Sequence, residues 1–231
     1  MHPQGVRGVR LGLVEAAHAQ LGDGEVLVSY ANAHLDSTLT EATTELLLGN
    51  AYFEAQRLDE TEVWLLQSYK DFQPLLTTPL PDTYIVLLNR LTHFYSMSDS
   101  EGFALISEEY MEASKERYGT ASRDYILALL YSSGAQQSRQ DYALAVSRLE
   151  EAHRLATTTG LMTPTEQAMV AVRLNIAYSY LGMDKRVDPG DIPSTLTDDE
   201  RYLLHFLEGQ DHFTRKEYDA ALPLLTEVLA Y

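Results

Sequence analysis

The stretch Glu45-LLLGNAYFEAQRLDETEVWLLQS-Tyr69 decides the fold. Its apolar residues recur at three- and four-residue spacing on either side of a turn, the period of helices rather than strands. Leu48-Gly49 stands in the first run and Tyr52 follows three residues later. After the turn come Thr61, Leu65 and Ser68, an order of small, large and small. A small residue lets two helices approach, and a large one fills the adjoining hole. The same order returns in Leu207-EGQDHFTRKEYDAALPLLTEV-Leu229, with Gly209, His212, Tyr218, Ala221 and Leu225. It returns again around Asp141-Tyr142-Ala-Leu-Ala145, continuing to Leu149 and Ala152, and in Leu174-Asn175, Tyr178 and Gly182.

Outward from these segments the chain reads as helical throughout. No period-2 alternation is sustained, no Asn-Gly occurs, and the one Asp-Gly, in Gly22-Asp23-Gly24, sits between helical patterns rather than between strands. Thr38-Leu-Thr-Glu41, Thr163-Pro-Thr-Glu166 and Thr197-Asp-Asp-Glu200 each predict a helix start with a capping box. Proline at 164 suits a first helical position, where its missing N–H costs nothing. Breaks are expected at Gly22–Gly24, Pro74–Pro81, Ser96–Ser100, Tyr118–Thr120, Thr157–Gly160 and Asp188–Ser194. The expected class is all-α, with about eleven or twelve helices.

This pattern of small, aromatic and large residues resembles the tetratricopeptide repeat, a pair of antiparallel helices about 34 residues long. The resemblance implies a right-handed α-solenoid in a single domain, with units near 8–41, 42–75, 82–118, 122–158, 164–187 and 198–231. It is carried most clearly by residues 42–73 and 202–231. The first and third units fit less well, with Glu15 and Phe94 near the small-residue position. In the resembled family, ligands lie along the concave surface formed by the first helix of each pair. The matching positions here are Leu46, Asn50 and Phe53, then Gln137, then Ile176 and Tyr180, then Phe206, Gln210 and Phe213. Aromatics mixed with amides suit a peptide, because rings supply buried area and amides satisfy its backbone. Asn50 also matches the asparagine with which some members clamp a terminal carboxylate. The flanking lysine is absent, Glu45 and Leu46 standing there instead, so that mode is not expected.

Composition narrows the function. The 231 residues carry 34 acidic and 17 basic side chains, a formal charge of −17, which repels phosphate backbones and anionic membranes. The expected partner is therefore a neutral to basic protein or peptide, not nucleic acid. There are no cysteines, which excludes disulfides, thiolate metal sites and cysteine nucleophiles. No run is apolar for about 20 residues, so membrane insertion is not expected. Behind the arginines of the N-terminus the apolar run Leu11–Val14 is shorter than a secretory signal requires; a cytoplasmic location is expected, with an exported or periplasmic fragment as the alternative.

His205, Glu208 and His212 fall on one helical face, with Asp211 adjacent, in a spacing zinc could use. The repeat register assigns those positions to helix packing, and no metal or other cofactor is expected. Acid pairs such as Glu108-Glu109 and Glu150-Glu151 point about 100° apart on a helix and do not converge on one substrate. No phosphate loop or nucleophile motif is present. The expected function is non-enzymatic binding of a partner segment in a groove. The alternatives are a sensor or regulatory domain of a larger signalling or transcription-regulating protein and, less favoured, an enzyme or cofactor-binding helical protein. The last helix carries Leu222, Leu225, Leu229 and Tyr231 around an apolar surface. Leu225, Leu229 and Tyr231 are expected to be covered, by a second copy or by residues of a longer parent chain.

Overall fold

A computed structural model describes residues 37–98, 101–190 and 196–230. Among them are nine α-helices and no strand: α1 Ser37–Glu54, α2 Leu58–Phe72, α3 Asp82–Ser98, α4 Glu101–Tyr118, α5 Arg123–Ser138, α6 Tyr142–Thr159, α7 Pro164–Tyr180, α8 Asp198–Thr214 and α9 Tyr218–Ala230. The arrangement is all-α and solenoid-like, with consecutive helices packed in pairs. The expected unit 8–41 lies outside the described residues except for its end, which opens α1. No helix among the described residues is long and apolar enough to cross a membrane. The chain forms two compact units that divide between Phe94 and Tyr95.

In the first unit α1 and α2 are antiparallel, and Gly49 is where they touch. A Cβ there would lie 2.5 Å from Leu65 Cδ2 and 3.2 Å from the Leu65 backbone nitrogen. Further along, the buried Ser68 hydroxyl donates to the Ala42 carbonyl at 2.7 Å. After the 3₁₀ turn Gln73–Leu75 the chain enters α3, whose Tyr84 packs on Phe72 with ring centroids 5.7 Å apart. Leu65, Phe72, Leu87, Leu88 and Leu91 are sealed from solvent.

In the second unit each helix from α4 to α9 packs on the next. The capping boxes of α7 and α8 form as the sequence predicts. Thr163 and Thr197 each accept from the N–H three residues on at 3.2 Å, and Glu166 and Glu200 reach back to the cap nitrogens at 2.8 and 2.9 Å. The third expected box, at Thr38, falls at the start of α1, which opens at Ser37. The expected break at Thr157 is displaced. Thr157, Thr158 and Thr159 return their hydroxyls to carbonyls four residues back, and α6 continues until Gly160 closes it in the left-handed region at φ 67°.

One turn recurs where helices end. After α1, the Gln56 N–H donates to Phe53 O and the Arg57 N–H to Tyr52 O, both at 2.9 Å. This is a Schellman motif, with Gln56 left-handed at φ 58°. The same two bonds follow α5 around Gln140, α7 around Gly182 and α8 around Lys216, with φ of 63°, 65° and 64°. Only one of the four carries the glycine by which a sequence normally announces such a turn.

The turn after α7 leads to no second helix. Residues 183–190 form no helix or strand, and Asn175 holds them at Val187. Its side-chain amide donates to Val187 O at 3.0 Å and its carbonyl accepts the Val187 N–H at 2.9 Å. Asn175 stands where Gly49 and Gly209 stand in their helices; a polar residue at the close-approach position grips an irregular segment instead of meeting a second helix. The expected unit 164–187 thus contains one helix, not two. The same segment is tied by Lys185 to Glu150 at 2.6 Å and by Arg186 to the buried Asp211, which Arg215 also meets at 3.2 Å.

Candidate functional site

Helix α8 is built with three different sides. Leu204 and Leu207 are buried against Val172 and Ile176 of α7. Gly209 meets α9, where an added Cβ would lie 2.7 Å from Leu225 Cδ2. The remaining side carries Tyr202, Phe206, Gln210 and Phe213, spaced by four, four and three residues and so aligned along the helix. Phe206 is 42% exposed and Phe213 59%, unusual values for rings that gain about 2 kcal/mol or more from burial. Phe213 meets Tyr218 edge-on at 5.7 Å, and through Tyr218 the stripe continues onto α9. There Leu222 is 62% exposed and Leu229 89%, while Leu225 is half-buried under Gly209. Tyr231 lies outside the described residues.

The other expected groove positions fare differently. Leu46 and Ile176 are buried in helix packing and offer no surface to a ligand, which corrects that expectation for both. The cause is the neighbouring helix: Ile176 is covered by Leu204 and Leu207 of α8. Phe53 is half-buried beneath α3, with its ring 5.3 Å from the His93 ring and 5.0 Å from the Arg90 guanidinium. Asn50 is half-buried, and its Oδ1 has no hydrogen-bond partner among the described residues. Gln137 is half-buried at the end of α5. Tyr180 is exposed and stacks on Tyr142 at 4.8 Å with the rings 11° from parallel. The positions brought together on an open surface are therefore Phe206, Gln210 and Phe213. The sequence marked these three, whereas Tyr202 and Tyr218 enter the surface only through the packing of α8 and α9.

The histidines of α8 turn to separate partners. His205 Nδ1 lies 3.4 Å from Glu227 Oε2, and His212 Nδ1 lies 2.7 Å from Glu217 Oε2 and 2.9 Å from Arg215 Nη2. Burial pushes the Glu208 carboxyl above its ordinary range, partly offset by those two histidines. A shallow cavity of ≈ 250 Å³ opens at the other end of the hairpin, lined by Asp198, Arg201, Tyr202, His205, Glu227 and Val228. In the first unit the carboxylates of Glu41, Glu45 and Asp71 come within 4.8 Å of one another, a set of oxygen donors of the kind a hard cation accepts.

The remaining polar clusters bind helices together. Glu108 of α4 accepts from Ser132 at 2.6 Å and Gln136 at 3.1 Å on α5, and meets Arg148 of α6 at 2.8 Å. Glu150 is held below the usual carboxylate range by Lys185 and then by the Tyr178 hydroxyl. Neither cluster leaves a nucleophile beside a base in an open cleft. No family model, curated protein or solved structure matches this chain.

Proposed function

We propose that the chain is a non-enzymatic protein-interaction module of the tetratricopeptide-like kind, which takes up a neutral-to-basic segment of a partner protein on α8 and α9. The observation that carries this reading is the aligned, exposed stripe of Tyr202, Phe206 and Phe213 with Gln210 among them. Aromatic anchors beside a hydrogen-bonding amide are what protein interfaces use at their centres. The net charge of −17 supports a basic partner, because complementary charge raises the association rate and like charge suppresses wrong partners.

The test is a paired capture from native lysate at 50 and 500 mM salt, using the intact chain and its Phe206→Ser/Phe213→Ser variant. A specific partner that the variant loses, and that the wild type holds more weakly at high salt, is the expected result. Identical partners on both proteins would overturn the reading.

A further inference from the structure

The hairpin α8–α9 aligns in register with the hairpin α5–α6. Tyr142 corresponds to Tyr218, Ala145 to Ala221, Val146 to Leu222 and Leu149 to Leu225. The same alignment sets Leu130 against Phe206 and the left-handed Gln140 against the left-handed Lys216. On α5–α6 the face so defined is occupied. Helix α7 lies on it, with Leu174, Ala177 and Tyr178 packed on Val146, Leu149 and Leu130, and with Tyr180 stacked on Tyr142. Val146 is only 7% exposed there, whereas its counterpart Leu222 is 62% exposed. The hairpin α8–α9 therefore presents, uncovered among the described residues, the surface that elsewhere in the same unit seats an amphipathic helix.

The two seats differ in charge where the first turn of the seated helix lies. Arg123, in the first turn of α5, meets Glu166 in the first turn of α7 at 2.5 Å. The residue corresponding to Arg123 is Asp199. A helix seated on α8–α9 as α7 sits on α5–α6 would bring its first turn to a carboxylate instead of a guanidinium, favouring Lys or Arg where α7 has Glu166. A second copy would bring another chain of charge −17 against this one.

We propose that the outer face of α8–α9 is a docking site for one amphipathic helix of another, basic protein. The helix presents an apolar stripe to Phe206 and Leu222 and a basic residue in its first turn to Asp199. This rests on the interaction-module reading and specifies the partner's form and charge.

The probe is a labelled 17-residue peptide with the sequence of α7. A staple across positions 172 and 176, the side that faces α8 in the protein, holds it helical, as circular dichroism verifies. It is made with Glu166 and with Glu166→Lys, and titrated with the intact chain by fluorescence anisotropy. The Glu166→Lys peptide should bind about five-fold more tightly, and Asp199→Arg in the protein should reverse the order. Leu222→Glu should remove binding of both peptides while leaving the melting temperature unchanged, because the side chain is exposed. Equal affinities for the two peptides, an order indifferent to Asp199→Arg, binding that survives Leu222→Glu, or no binding at all would each overturn the proposal. So would a concentration-dependent dimer in sedimentation that Leu222→Glu dissolves, since a second copy would then be the occupant. If the peptides fail while Phe206→Ser/Phe213→Ser still loses its lysate partner, the helix seat falls and the interaction module stands.

Discussion

The hairpins α1–α2 and α8–α9 share their inner seam and differ in their outer face. Both touch through a glycine set against a leucine, Gly49 on Leu65 and Gly209 on Leu225. Both turn through a left-handed residue that is not glycine, Gln56 and Lys216. Yet Leu46 and Phe53 of α1 are wholly or half covered, while Phe206 and Phe213 at the same register in α8 stand in solvent. A seam is made by two helices adjacent in sequence, whereas an outer face is closed only by whatever packs next. Identical registers can therefore mark a core in one place and a binding surface in another.

The leucines should separate the two hairpins most sharply. Leu65 has no exposed surface, so Leu65→Ala leaves a cavity and should lower stability by about 3 kcal/mol in urea unfolding. Leu225 is half-buried, and Leu225→Ala should cost about 1 kcal/mol. Equal losses would mean that α8–α9 is as tightly closed as α1–α2.

A smaller difference is expected at the glycines. In Gly49→Ala the new methyl would meet both the Leu65 side chain and its backbone nitrogen at 3.2 Å. Backbone cannot move aside cheaply, so a loss of about 1–2 kcal/mol is expected despite alanine's better helix propensity. In Gly209→Ala the close atoms, at 2.7 and 2.8 Å, belong to the Leu225 side chain, and no backbone atom is among the three nearest. The gain in propensity should about cancel the strain, leaving thermal unfolding within 0.5 kcal/mol of wild type, roughly. A large loss at Gly209 would show that Leu225 is locked in place.

The shared turn predicts agreement rather than contrast. Gln56→Gly and Lys216→Gly each relieve a side chain from the left-handed region and should each stabilise by about 0.5–1 kcal/mol. A gain at one turn alone, in paired melting curves, would break the equivalence of the two.

The smallest effect is a pH dependence that includes the covered face. Burial holds the His93 imidazole below its ordinary pKa, Arg90 acts the same way and Glu54 opposes them. The unfolded chain then takes up this proton near pH 6.5 while the folded chain still resists it. Stability from this group is complete above about pH 6.5 and falls as the pH drops below it. His93→Gln should flatten the melting temperature between pH 7 and 5.5, in part only, because burial lowers His153 with the same sign. An unchanged slope would mean that His93 is not the sensor.

The helices and their contact register were legible because their causes are local. Apolar spacing, the Thr163 and Thr197 capping boxes and the Gly–Leu seams each involve a few residues close in sequence, and each forms as read. The turns at Gln56, Gln140 and Lys216 were not individually legible, because a Schellman motif closed by glutamine or lysine carries no residue-type signal. Asn175 was visible at the small-residue position, but nothing local says that its amide will grip Val187.

Of the candidate site, the amino-acid sequence alone placed Phe206, Gln210 and Phe213 on one helical face, because 100° per residue leaves no other arrangement. It could not separate them from Leu46 and Ile176, which have the same register and the same apolar character. Only the packed molecule decides between them: α8 covers Ile176, α7–α8 packing buries Leu204 and Leu207, and among the described residues nothing closes over Phe206. Exposure belongs to the arrangement of neighbours, and neighbours distant along the chain leave no mark on the periodicity of a single helix.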